Sequence, residues 1–152
     1  MLNAELEKSL NVVRGLLESG AAIKDVDDAI ANVSGLNERN SIGPLLLMLN
    51  DESDYDEVMF SIIHAAENFS DSDYVYSLLK IIPKMRVSNP RWASIVLMRI
   101  INNEAAKKEL IIATAHALPE EKNAIALLCE SINKVGVDFV SKTIPLIAAA
   151  RV

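Results

Sequence analysis

Cut at residues 4, 37, 70, 103 and 136, the chain falls into units of thirty-three residues that align without a gap. The ninth position of the units reads Val12, Leu45, Leu78, Ile111 and Ile144, and the thirteenth reads Leu16, Leu49, Ile82, Ala115 and Ala148. Later in each unit the twenty-third position reads Val26, Met59, Trp92 and Ile125. The twenty-sixth reads Ala29, Ile62, Ile95 and Leu128, and the twenty-seventh Ile30, Ile63, Val96 and Cys129. Apolar columns thus stand at positions 9, 10 and 13 and at 23, 26, 27 and 30. Both sets have the i, i+3, i+4 spacing of one helical face. Each unit predicts two amphipathic helices, neither of which buries its stripe alone. Stacking the hairpins gives one continuous core. The expected fold is all-α: a HEAT/armadillo-like stack of helical hairpins, a short solenoid. It forms one domain over 1–152, with units near 4–36, 37–69, 70–102, 103–135 and a terminal half unit 136–152.

The punctuation agrees with the columns. Ser88-Asn89-Pro90 places a capping side chain before a proline suited to a first helical turn. Leu118-Pro119-Glu120-Glu121 opens a helix with acids near its positive end. Ser70-Asp71-Ser72-Asp73 offers capping oxygens ahead of Tyr74, and Gly20, Gly35 and Gly136 stand where helices stop. Pro145 lies inside the last helical pattern and predicts a kink or a start there. About nine helices follow, near 2–18, 23–34, 38–49, 54–68, 72–82, 90–102, 104–117, 120–134 and 138–150.

Composition supports this picture. Of 152 residues, 51% are hydrophobic and 24% charged, the balance of a folded chain. Five Gly and five Pro fit long elements with short connections. The longest apolar runs, such as Leu45–Leu49, fall far short of a membrane helix. Met1–Leu10 carries Glu5, Glu7 and Lys8 and does not read as a secretory leader, so a cytoplasmic chain is expected. The net charge of −6 conceals two ends of opposite sign. Residues 1–80 hold fifteen acids and five bases, a balance of −10, whereas residues 81–152 hold ten bases and six acids, +4. The acidic end argues against nucleic acid and for a basic protein partner.

Candidate chemistry is sparse. Cys129 is the one cysteine, which leaves no internal disulfide and no thiolate zinc cluster; on an apolar column it reads as core. His64 and His116 are the only histidines, and no HExxH, GxSxG or glycine-rich phosphate loop occurs. Asp54, Asp56 and Glu57 lack the glycine and distal glutamate of an EF-hand and read as solvated acids at a helix start. Neither an enzyme nor a bound cofactor or metal is expected.

Two segments stand out. Asp51-Glu52-Ser53-Asp54-Tyr55-Asp56-Glu57 puts five acids into seven residues at the bend of the second unit. Ser70-Asp71-Ser72-Asp73-Tyr74-Val75-Tyr76 follows at the bend into the third. Tyrosine among acids suits a protein interface, with rigid contact area from the ring and steering from the charge. The other reading is polar loops with capping acids. His64, which projects off its helix's core columns, joins Asp51, Glu52, Asp54, Tyr55, Asp56, Glu57, Asp71, Asp73, Tyr74 and Tyr76 as candidate partner contacts.

Two stretches carry a resemblance. One is His64-Ala-Ala-Glu67-Asn-Phe69-Ser-Asp71 running on through Tyr74-Val-Tyr76-Ser-Leu78-Leu79. The other is Asn89-Pro-Arg91-Trp92-Ala93 through Leu97-Met-Arg99-Ile100-Ile101-Asn102. Together, over roughly 64–103, they resemble the all-helical immunity proteins of bacterial polymorphic toxin and contact-dependent growth inhibition systems, especially the immunity protein 30 family. The resemblance implies a cytoplasmic antidote that binds a cognate toxin C-terminal domain, often a nuclease, and blocks its active site or substrate surface. Nucleases bind phosphate through basic clefts, which suits an inhibitor with an acidic half. The alternative is a helical-repeat adaptor for another protein or peptide.

Overall fold

The computed structural model describes residues 2–152, and among these no strand occurs. Nine α-helices follow one another: α1 Ala4–Ser19, α2 Ile23–Gly35, α3 Ile42–Leu46, α4 Asp56–Glu67, α5 Asp71–Ser88, α6 Pro90–Ile101, α7 Glu104–Ala115, α8 Pro119–Val135 and α9 Val140–Ala150. The protein is an all-α helical stack. It divides into two compact units, Met1–Ser70 and Asp71–Val152, at one of the cuts between thirty-three-residue segments.

In the first unit α1 packs on α2, α2 on α4, and α3 on α4. In the second, α5, α7 and α9 lie side by side as one layer, with α6 and α8 against each other in the other. Helix α5 touches α6, α7 and α8, and α8 touches all four of the other helices of that unit.

The second helix of each hairpin buries the columns read from the sequence. Val26, Met59, Trp92 and Ile125 are all in the core, as are Ile30, Ile63, Val96 and Cys129. Ile95 and Arg99 are half-buried at their columns. Each fully buried aliphatic or aromatic side chain contributes about 1.5–3 kcal/mol by leaving water. The first helices keep their columns only in α3 and α5, where Leu45, Leu46, Leu49, Leu78, Leu79 and Ile82 are buried. Elsewhere the face is turned. Helix α7 buries Leu110, Ala113 and Thr114 and exposes Ile112. Likewise α1 exposes Val12 while burying Leu10 and Val13, and α9 exposes Ile144 while burying Thr143 and Leu146. Neighbouring residues point about 100° apart on a helix, so a small rotation changes which of them is covered.

Helix ends follow local chemistry. The Asn3 and Asn103 side chains accept from the N–H groups of Leu6 (2.8 Å) and Ala106 (3.1 Å), capping α1 and α7. Glu121 Oε1 accepts from the Leu118 N–H at 3.1 Å, closing the start of α8. Gly20 ends α1 at φ 69°, a left-handed conformation that glycine takes without strain. After α2 that conformation falls to Asn37 (φ 50°) and not to Gly35, which completes the helix.

Three spans differ from the expected ones. The third helix, expected over 38–49, is a tight turn at Arg39–Ser41 followed by the short α3. Pro44 sits within its first turn, and the last bonds loosen to i→i−3 at Met48 and Leu49. The fifth, expected to stop at Ile82, runs through Pro83 to Ser88. Pro83 has no N–H for the ladder, but Met85 beyond it is buried, and that packing carries the helix on. The last begins at Val140 and contains Pro145 rather than starting there.

Candidate functional site

Between α3 and α4 the chain makes a tight, self-bonded bend. The Ser53 N–H donates to the Asn50 carbonyl at 3.0 Å, and the Glu52 N–H to Asn50 Oδ1 at 2.9 Å. The Tyr55 N–H donates to Ser53 Oγ at 3.1 Å, and the Asn50 N–H reaches Met59 Sδ at 3.4 Å. Asn50 and Ser53 thus hold the backbone by side-chain turns that both residue types favour. Glu52, Asp54, Asp56 and Glu57 are exposed and Asp51 is half-buried. Asp56 and Glu57 lie in the first turn of α4, where the helix dipole favours negative charge.

This bend forms one wall of a groove of about 430 Å³ in the first unit. Leu17 of α1, Leu47 and Met48 after α3, and Met59 of α4 give it apolar surface. Asp54 and Glu18 contribute carboxylates, and Arg14 lines the groove as well. The Arg14 guanidinium donates to Asn11 Oδ1 at 2.8 Å, along α1. Tyr55 is 55% exposed. It lines both this groove and a smaller cleft of about 60 Å³ beside Leu16, Gly20 and Val58.

Of the residues singled out from the sequence, Asp51, Glu52, Asp54, Tyr55, Asp56 and Glu57 share this bend. His64 is exposed further along α4, its ring 6.5 Å from that of Phe60. Asp71, Asp73, Tyr74 and Tyr76 belong to α5 in the second unit. Asp71 and Asp73 are half-buried in its first turn, and Tyr76 is 47% exposed. Tyr74 is only 3% exposed and is part of the core, so it offers no contact surface. The groove lining from α1 and α3 has no counterpart among the sequence candidates. Leu17 and Met48 stand about thirty positions apart, and nothing in their spacing pairs them.

Elsewhere, no three His, Cys, Asp or Glu side chains among the described residues are placed to hold a metal ion. Cys129 is buried; burial, with the Glu130 carboxylate adding to it, pushes its thiol up from 9.0 to about 12. It stays protonated at neutral pH, the inert state of a core cysteine.

Stacked helical hairpins carrying an acidic, exposed bend over an apolar groove place the protein among the helical-hairpin folds. Within that class it belongs to the immunity protein 30 family, whose model matches residues 13–110, more than half of the chain. No curated protein and no solved structure matches it. The matched span starts in α1 and ends in α7, so it contains the bend and all of the groove's lining. Membership of an immunity-protein family implies a toxin as partner. No helix among the described residues is long and apolar enough to cross a membrane.

Proposed function

We propose that the chain is a cytoplasmic antidote that binds a cognate, basic toxin domain, a nuclease, and covers its active site or substrate surface without catalysis of its own. One observation carries the reading: the family match over residues 13–110 encloses an exposed bend with five acids in seven residues. A nuclease cleft is basic because it holds phosphate, and an acidic surface is drawn to it over the length of the screened field. Steering of this kind raises the association rate, while buried contacts set the lifetime of the complex. The protein would act as one domain over 1–152.

Co-expression with a candidate toxin domain, sought in the genes neighbouring its own, tests the proposal. Cells carrying both should grow, a one-to-one complex should be recovered by pull-down, and adding the purified chain should stop the toxin's nuclease activity in vitro. Cell death with no complex would remove the antidote reading. Protection with a toxin that leaves nucleic acid intact would remove the nuclease assignment alone.

A further inference from the structure

We propose that the groove beneath the acidic bend receives an arginine side chain of the toxin, and that Tyr55 is the surface on which it lies. The inference rests on the antidote reading above and names the contact that holds the complex once charge has brought the partners together.

Three features of the groove select this occupant. Its apolar surface, from the half-buried Leu17, Leu47 and Met48, suits the methylene stem of a long side chain. Methionine adapts its shape to whatever enters. The Tyr55 ring forms a wall, more than half exposed, and a guanidinium stacks on an aromatic face. Asp54, the neighbouring residue, and Glu18 from α1 both line the same space and offer carboxylate forks for the head group. A lysine would find the charge but not the planar match to ring and carboxylate. An aliphatic side chain would bring nothing to either carboxylate and would strip water from them. An acidic one would meet Asp54 and Glu18 as like charges. Arg14 also lines the groove, its guanidinium bonded to Asn11 Oδ1, and against it the carboxylates of Glu18 and Asp54 leave the lining net negative. Tyr55 stands at the start of α4 in a bend held by the bond from its N–H to Ser53 Oγ, so its backbone is in place before the arginine docks.

The test uses the full chain and the toxin domain that the co-expression experiment identifies, with Kd and dissociation rate measured for wild type, Tyr55→Phe, Tyr55→Ala and Met48→Lys. Met48 is half-buried, so a lysine there keeps the fold, which circular dichroism verifies, while putting a cation into the groove. Tyr55→Phe should stay within threefold of wild type. Tyr55→Ala should raise Kd by 10–100-fold, on the order seen for a buried interface anchor, mainly through faster dissociation. Met48→Lys should raise it at least as far. Each toxin arginine is then changed to alanine and paired with Tyr55→Ala in a double-mutant cycle. One arginine should lose at least tenfold in affinity against wild type and little further against Tyr55→Ala. Binding by Tyr55→Ala and Met48→Lys within threefold of wild type overturns the inference while leaving the antidote reading intact. So does a cycle in which no arginine couples to Tyr55. If wild type binds no toxin at all, the antidote reading falls and this contact with it.

Discussion

Ser53 Oγ accepts a hydrogen bond from the Tyr55 N–H at 3.1 Å, and this local bond holds the backbone of a residue that lines two clefts of the first unit. The neighbouring backbone bond of the bend, Glu52 N–H to Asn50 Oδ1, also ends on an uncharged side chain. Exposed carboxylates can therefore be changed here without removing either turn bond.

The first prediction follows from that separation. Asp54→Lys, Asp56→Lys and Glu57→Lys together should keep the fold and lower the melting temperature by only a few degrees, since the reversal at the positive end of α4 costs about 0.3–1 kcal/mol for each of Asp56 and Glu57. Stopped-flow mixing with the toxin domain should show slower association. Wild-type association should itself slow steeply with added salt as screening shortens the acidic field. Equal association rates for variant and wild type at low salt would leave the bend a solvated surface with no part in steering.

Trp92 is 0% exposed and lies under the Arg91 guanidinium, whose carbon is 5.0 Å from the ring centroid. Trp92→Ala should destabilise the protein by about 3–5 kcal/mol, the range for a deleted core aromatic. For a chain of this length that lowers the melting temperature on the order of 10 °C, measurable by calorimetry. Toxin binding by the folded variant at low temperature should be retained, since Trp92 presents no surface.

Truncation after Asn102 removes α7, α8 and α9, against which α5 and α6 pack in the second unit. Helices α5 and α6 would lose the faces of α7 and α8 against which they pack. The 1–102 fragment should aggregate or melt without a cooperative transition, read by light scattering and far-ultraviolet circular dichroism. A soluble, cooperatively folding fragment would show that the apolar faces of α5 and α6 do not depend on the later helices.

Cys129 gives a pH dependence with a definite sign. Its thiol is pushed up from 9.0 to about 12 in the fold, so the native state holds the proton more tightly than the unfolded chain does. The resulting stabilisation is complete below the ordinary thiol range and is lost as pH rises from about 9 toward 12. Cys129→Ala cannot show this loss. The stability difference between wild type and Cys129→Ala, from urea melts, should shrink with a slope of up to about 1.4 kcal/mol per pH unit across that window. A thiol reagent at pH 8 should label the native protein only as fast as it opens.

Periodicity by itself determined that the chain is helical and, for most column positions in the second helix of each hairpin, which residues are buried. Val26, Met59, Trp92 and Ile125 could be read as one column because a 3.6-residue repeat leaves few ways to bury such a stripe. It also located the acidic bend, since polar residues between periodic segments mark loops. Tertiary packing decided the rest. Tyr74 and Tyr76 look equivalent in the sequence, but two residues on a helix project about 200° apart, so one enters the core of α5 and the other faces water. The turned faces of α1, α7 and α9 depend on which neighbours cover them, which no local pattern encodes. Pro83 shows the same balance: the sequence marks a stop, and burial of Met85 carries the helix past it. The groove is the clearest case, because Leu17, Met48 and Tyr55 meet only when α1 and the bend before α4 are folded together, and side chains far apart in the chain become one site through packing alone.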